Sequence, residues 1–166
     1  MSNTAALNKA SGNKVENKLK ELGVTLPAAA KPPAKYVPFT ISGKTVFISG
    51  QLPVINGEMK VGGQVGGDVT LEQGQETAKN CGLNILAHLR EACGGNLDRV
   101  TRVLKLEILV NSAPGFTNQH QVANGVSNFI VDVFGDEIGS HARVAYGVAG
   151  LPLGAAVEVA GTFEIN

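Results

Sequence analysis

Residues 142–165 read ARVAYGVAGLPLGAAVEVAGTFEI, two β-rich runs joined by Leu151-Pro152-Leu153-Gly154. Val144, Tyr146 and Val148, then Val157, Val159, Phe163 and Ile165, recur at alternate positions, the period of strands whose successive side chains leave on opposite faces. The Pro and Gly of the link interrupt both runs, so the spacing predicts a terminal pair of strands. A chain that ends in a sheet needs something to cover that sheet, and the segments before it supply this.

Working back, Phe116–Phe134 carries Val122, Val126, Phe129, Ile130 and Val133 at helical spacing. Val100–Val110, VTRVLKLEILV, alternates and reads as a strand with one buried face. From Leu71 to Ala92, Ala78, Cys81, Ile85, Leu89 and Ala92 mark one face of a helix of about six turns, with Gly94-Gly95 as its stop. VGGQVGGDVT (61–70) reads as a surface loop in which Asp68 or Thr70 caps that helix; it lacks the endings of a phosphate cradle. YVPFTIS and KTVFISG form a hairpin at Ser42-Gly43, and a third short strand falls at Gln51–Val54 before the Asn56-Gly57 turn. This order predicts an α+β single domain, residues 35–166, with two main helices on one face of a sheet. The other face is left apolar and wet unless a second copy covers it, which predicts an oligomer. Residues 1–34 form an arm: small polar residues 1–11 that should fray, a short helix from Gly12 to Gly23 on Val15, Leu19 and Leu22, and the linker TLPAAAKPPAK.

Among 166 residues, 14 Lys plus Arg balance 14 Asp plus Glu, so no net field holds a polyanion. No run reaches the 18 or so apolar residues of a membrane span, and no secretory signal opens the chain. Cys81 and Cys93 are too few for a disulfide framework and read as thiols in a reducing cytoplasm. The histidines at 88, 120 and 141 have no metal-ligand spacing, and there is no C-x-x-C or G-x-S-x-G. His88 reads as a satisfied helix-face residue, while His141, just before the last strands, keeps a functional reading open.

Only 17% of residues are charged, against about 25% on average, which isolates two of them. Arg143 opens an otherwise uncharged strand, and Glu158 stands alone inside the next. They either pair across a hairpin, or Arg143 grips a substrate carboxylate while Glu158 orients a water. Glycine, at 21 copies, is the compositional outlier; Gly50, Gly147, Gly150 and Gly154 lie near these residues and predict close backbone approach to a ligand or neighbour.

Arg143, then Leu151-Pro152 eight and nine positions on, then Val157-Glu158, closely resemble the C-terminal signature of the Rid family, the reactive intermediate (imine) deaminases, also called YjgF-like and often labelled endoribonuclease L-PSP. Tyr36, thirteen residues before Ser49-Gly50-Gln51-Leu52-Pro53, resembles the family's second motif. The resemblance implies a chorismate-mutase-like fold with a mixed β-sheet. It implies a homotrimer with sheets lining the centre and active sites at subunit interfaces. It implies hydrolysis of enamine and imine intermediates such as 2-aminoacrylate to 2-oxo acids and ammonia, without cofactor or metal. In these roles Arg143 binds the carboxylate, Glu158 positions the water, Tyr36 and Ser49 line the pocket, and the Ala145 carbonyl receives the imine nitrogen. The family's helix asparagine falls on Asn124, or on Ala123 one residue back. His141 stands where the family has Pro, and the long arm with GGQVGGDVTLEQGQ marks a divergent branch. A non-enzymatic trimer binding a small carboxylic acid is the alternative. Zero net charge with two Tyr and six Phe argues against RNA cleavage. The implied partner is thus an imino or 2-oxo acid, with no nucleic acid and no membrane.

Overall fold

The computed structural model describes residues 12–166; the expected fraying of residues 1–11 lies outside them. Helix α1 (Lys14–Glu21) buries Val15 and Leu19, and its first N–H groups, Lys14 and Val15, donate to the Asp98 carboxylate at 2.9 and 2.8 Å. Gly23, at φ 67, lets the chain leave the helix. Strands β1 (Phe39–Ser42) and β2 (Thr45–Gln51) form the expected hairpin. The third strand is displaced: Pro53 cannot donate to a ladder, and a separate small hairpin, β3 (Val54–Ile55) with β4 (Glu58–Met59), turns at Asn56-Gly57, both with positive φ.

Helix α2 (Leu71–Ala92) begins at Thr70, whose Oγ1 accepts from the Gln73 N–H at 3.1 Å while Gln73 Oε1 accepts from the Thr70 N–H at 2.9 Å. Asp68 has a different task, bracing the glycine loop by accepting from the Gln64 N–H at 2.8 Å. Strand β5 (Val100–Asn111) follows, then helix α3 (Gln119–Gly139), which starts three residues later than expected, after the Pro114-Gly115 turn. The expected end at Phe134 coincides with a break at Gly135 (φ 78), beyond which one more turn forms.

The last two strands, β6 (Ala142–Val148) and β7 (Val157–Ile165), are not a hairpin. The sheet order is β1-β2-β7-β5-β6, with β6 parallel to β5 and β7 antiparallel to both β2 and β5. A parallel partner needs a crossover of a dozen or more residues, and α3 provides it between β5 and β6. Burial explains the rest. β7 alternates buried and half-buried along its whole length and suits a central position, whereas five of the seven β6 residues are exposed and none is buried, as on an edge. Helices α2 and α3 cover one sheet face, where Ile85, Leu89, Val126 and Ile130 close over Ile48, Leu106, Ile108, Val159 and Phe163. Among the described residues no layer covers the opposite face: Phe47, Val144 and Tyr146 are 48%, 39% and 44% exposed.

Candidate functional site

Arg143 pairs in register with buried Leu106, so its side chain leaves β6 on the helix-covered side and meets α3. Its Nη1 donates to Asn124 Oδ1 at 2.8 Å and to Ser127 Oγ at 3.2 Å, and its Nη2 donates to the His120 carbonyl at 3.1 Å. A guanidinium has five N–H donors. Both on Nη1 and one on Nη2 are thus spent on the helix, leaving Nε–H and one Nη2–H on adjacent nitrogens. Among the described residues no acid lies within ion-pair distance of it. Of the two asparagine alignments, Asn124 reaches Arg143, while Ala123, one residue back, is buried in the core. Ala145 lies one residue pair further along the same side of β6, packed against the core.

Glu158 pairs with Leu109, which in turn pairs with Tyr146, so all three share the open face. Burial pushes its carboxyl up from 4.5. Its carboxylate lies over Gly50, in a bulge of β2 between Ile48 and Gln51 that leaves room for it. Ser49, in the same bulge, donates from Oγ to the Val37 carbonyl at 2.7 Å and from N–H to the Pro38 carbonyl at 2.9 Å, which holds the Tyr36 segment against β2. Tyr36, 57% exposed, lines a cavity of about 380 Å³ with Gly50, Pro32, Asn84 and His88.

Arg143 and Glu158 therefore do not pair. They leave opposite faces, β5 stands between their strands, and their register differs by three residues, giving roughly 10 Å across and 10 Å along the sheet. Two clusters result in one chain: Arg143 with Asn124, and Glu158 with Ser49 and the Tyr36 segment. His88 is not the satisfied residue expected. It is 3% exposed, its Nδ1 has no hydrogen-bond partner among the described residues, and burial lowers its pKa. Both cysteines are buried free thiols; Cys81 Sγ–H points to the Val157 carbonyl at 3.5 Å, and burial pushes its pKa far up.

Sequence reasoning did not single out Ser127. It stands three after Asn124, on the same stripe of α3, and His141 stands two before Arg143, just ahead of β6. His141 Nε2 lies 2.9 Å from Ser127 Oγ, and its Nδ1 lies 2.6 Å from the Gly139 carbonyl. That spacing was the available signal. No helix of the described residues is long and apolar enough to cross a membrane.

Residues 16–163 match a family model described as "YjgF/chorismate_mutase-like, putative endoribonuclease". The chain is 48% identical over 157 residues to Protein TCP17 of Trypanosoma cruzi, covering 95% of this chain and 97% of the relative. The crystal structure of Atu1372, a protein with unknown function from Agrobacterium tumefaciens, is similar with a TM-score of 0.87 at 46% identity, covering 95% of this chain and 97% of that one. RidA from an Antarctic Psychrobacter is similar with a TM-score of 0.53 at 26% identity, covering 85% of this chain and 98% of that one.

Proposed function

The chain belongs to the YjgF/chorismate-mutase-like family, and from that premise we propose that it hydrolyses 2-imino acids to 2-oxo acids and ammonia in clefts between the copies of a homotrimer. The observation that carries this reading is the wiring of Arg143. With three donors fixed by α3, the guanidinium offers its Nε–H and one Nη2–H as an immobile fork, the arrangement a carboxylate accepts in bidentate fashion. Binding a carboxylate leaves the adjacent imine carbon in a defined place, and that carbon is already electrophilic. Water adds to it, the nitrogen takes up protons, and the C–N bond breaks to release ammonia and leave the 2-oxo acid. Orientation and one well-placed water are the main demands on the protein.

Glu158 meets the second demand. As a carboxylate it accepts a hydrogen bond from the attacking water and takes its proton as the C–O bond forms. Because it faces away from Arg143 in its own chain, the Glu158 cluster of one copy completes the Arg143 edge of the next. The uncovered sheet face with Phe47, Val144 and Tyr146 supports that assembly. Ser49 and Tyr36 line the cleft, and the Ala145 carbonyl accepts from the imine N–H.

The test is release of ammonia and 2-oxo acid from freshly generated 2-imino acids. Arg143→Ala abolishes it while the oligomer stays intact. Equal rates for wild type and variant reject the assignment, and binding of 2-oxobutyrate with no turnover of any imine replaces it with a carboxylate-binding protein.

A further inference from the structure

We propose that His141 and Ser127 form a positioning relay that fixes the direction of the Arg143 fork; this rests on the carboxylate-clamp reading above and adds two residues to it. His141 Nδ1 sits 2.6 Å from the Gly139 carbonyl. A carbonyl only accepts, so in the neutral ring Nδ1 carries the hydrogen and Nε2 is left as the acceptor. Ser127 Oγ, 2.9 Å from that Nε2, must then be the donor. With its proton committed to His141, the hydroxyl turns a lone pair toward Arg143 Nη1 at 3.2 Å. A hydroxyl without such a partner is a rotor that accepts from Arg143 only part of the time.

The relay matters because of what remains without it. Asn124 Oδ1 and the His120 carbonyl hold one N–H on each terminal nitrogen, from the same helix. The guanidinium can rock about those two bonds. The third bond, to Ser127, occupies the last Nη1 donor and removes that motion, so the free Nε–H and Nη2–H point one way. The chain of partners runs from the Gly139 carbonyl through His141 and Ser127 to Arg143, linking the end of α3, the start of β6 and the middle of α3. It also commits Ser127 away from nucleophilic work, since its proton and one lone pair are both engaged.

The two residues act in series through one atom, which sets the test. In steady-state turnover of a 2-imino acid, Ser127→Ala and His141→Phe each raise KM about tenfold, the equivalent of one misdirected hydrogen bond between the fork and the substrate carboxylate, with kcat little changed because ground state and transition state share that contact. Direct binding of 2-oxobutyrate weakens by the same factor. The double variant is no worse than Ser127→Ala alone. His141→Gln, which keeps an acceptor near Nε2, and Ser127→Thr, which keeps the hydroxyl, restore wild-type KM. Arg143→Ala separates the clamp from the relay. If it binds 2-oxobutyrate as well as wild type, the clamp reading fails. If it loses binding while Ser127→Ala and His141→Phe keep wild-type KM, or if their losses add, the relay is overturned.

Discussion

Replacing Gly50 by alanine tests whether Glu158 is held where the chemistry needs it. An ideal Cβ on Gly50 would lie 3.1 Å from Glu158 Cδ and 3.3 Å from Cγ, with Oε1 nearer still. Ordinary carbon contacts begin near 3.4 Å, so the carboxylate must withdraw, its oxygen by about 1 Å, a displacement that can cost about 100-fold in rate where orientation is the catalysis. The obstacle is the far end of a flexible side chain, and the φ of Gly50 lies outside the left-handed region, so the backbone need not move. An off-rotamer Glu158 costs about 0.5–1.5 kcal/mol. For a chain of this length that lowers the melting temperature by only about 1–6 °C. The expected outcome is a folded oligomer that melts a few degrees early and releases ammonia from 2-imino acids roughly two orders of magnitude more slowly. Two results would refute the reasoning: near-wild-type turnover, which would detach the Glu158 position from catalysis, or collapse of the fold, which would make Gly50 structural. The sequence suggested that such a glycine lets backbone approach a ligand or a neighbouring subunit; here it makes room for a carboxylate of the same chain.

The remaining expectations concern packing, proton affinity and assembly. Gly125→Ala would put a Cβ 2.6 Å from the carbonyl carbon of Gln75 and 2.8 Å from its Cα, backbone atoms that cannot step aside, so α2 and α3 must separate. The overpacking costs about 1–3 kcal/mol, only partly offset by alanine's better helix propensity; an unchanged urea midpoint would contradict the close approach. Burial raises the Glu158 pKa in the folded state, so its contribution to stability is present below the unfolded value and lost as pH rises through the folded one. Glu158→Gln should therefore melt above wild type at pH 8 and level with it in acid. For the same reason the acid limb of wild-type turnover should fall above pH 4.5, the ordinary value, and a limb at or below it would show that the carboxylate is not the group required. Phe47→Glu, on the uncovered sheet face, should yield folded monomers by light scattering that turn over no imine, and an intact oligomer would remove this face from the interface.

The elements were legible because their period is intrinsic to short stretches of chain: α2, the β1–β2 hairpin and β5 follow from local residue pattern, whereas the choice between Asp68 and Thr70 as the cap of α2 needed the loop geometry. The partner of β6 was not, because adjacency in sequence suggests a hairpin, while pairing is decided by which strand can be buried on both sides. The difference was latent in the residues: β7 places Val157, Val159, Phe163 and Ile165 inward, whereas β6 offers Ala145 and Gly147 beneath Arg143. Arg143 and Glu158 stood out as lone charges in apolar strands. Their relation did not, since it depends on that same pairing. Ser127 was missed because a serine within an apolar helix looks like any other half-buried polar residue until His141, just before β6, is laid beside it.

The face on which each lone charge leaves the sheet follows from pairing and parity, and it bears on why both can stay available. An Arg and a Glu directly opposed on neighbouring strands would neutralise each other, and the fork needed for a carboxylate would be occupied by the chain's own acid. With β5 between their strands and the two side chains on opposite faces, that contact is excluded within one chain. Arg143 is then satisfied by neutral groups, an amide, a hydroxyl and a carbonyl, which hold it in place without cancelling its charge. Glu158 is left against Gly50 with its proton affinity raised, which strengthens it as a base once ionised. On the proposed reading the two meet only across a subunit boundary, with substrate and water between them, so the geometry that keeps each chain from quenching its own site makes assembly a condition of activity.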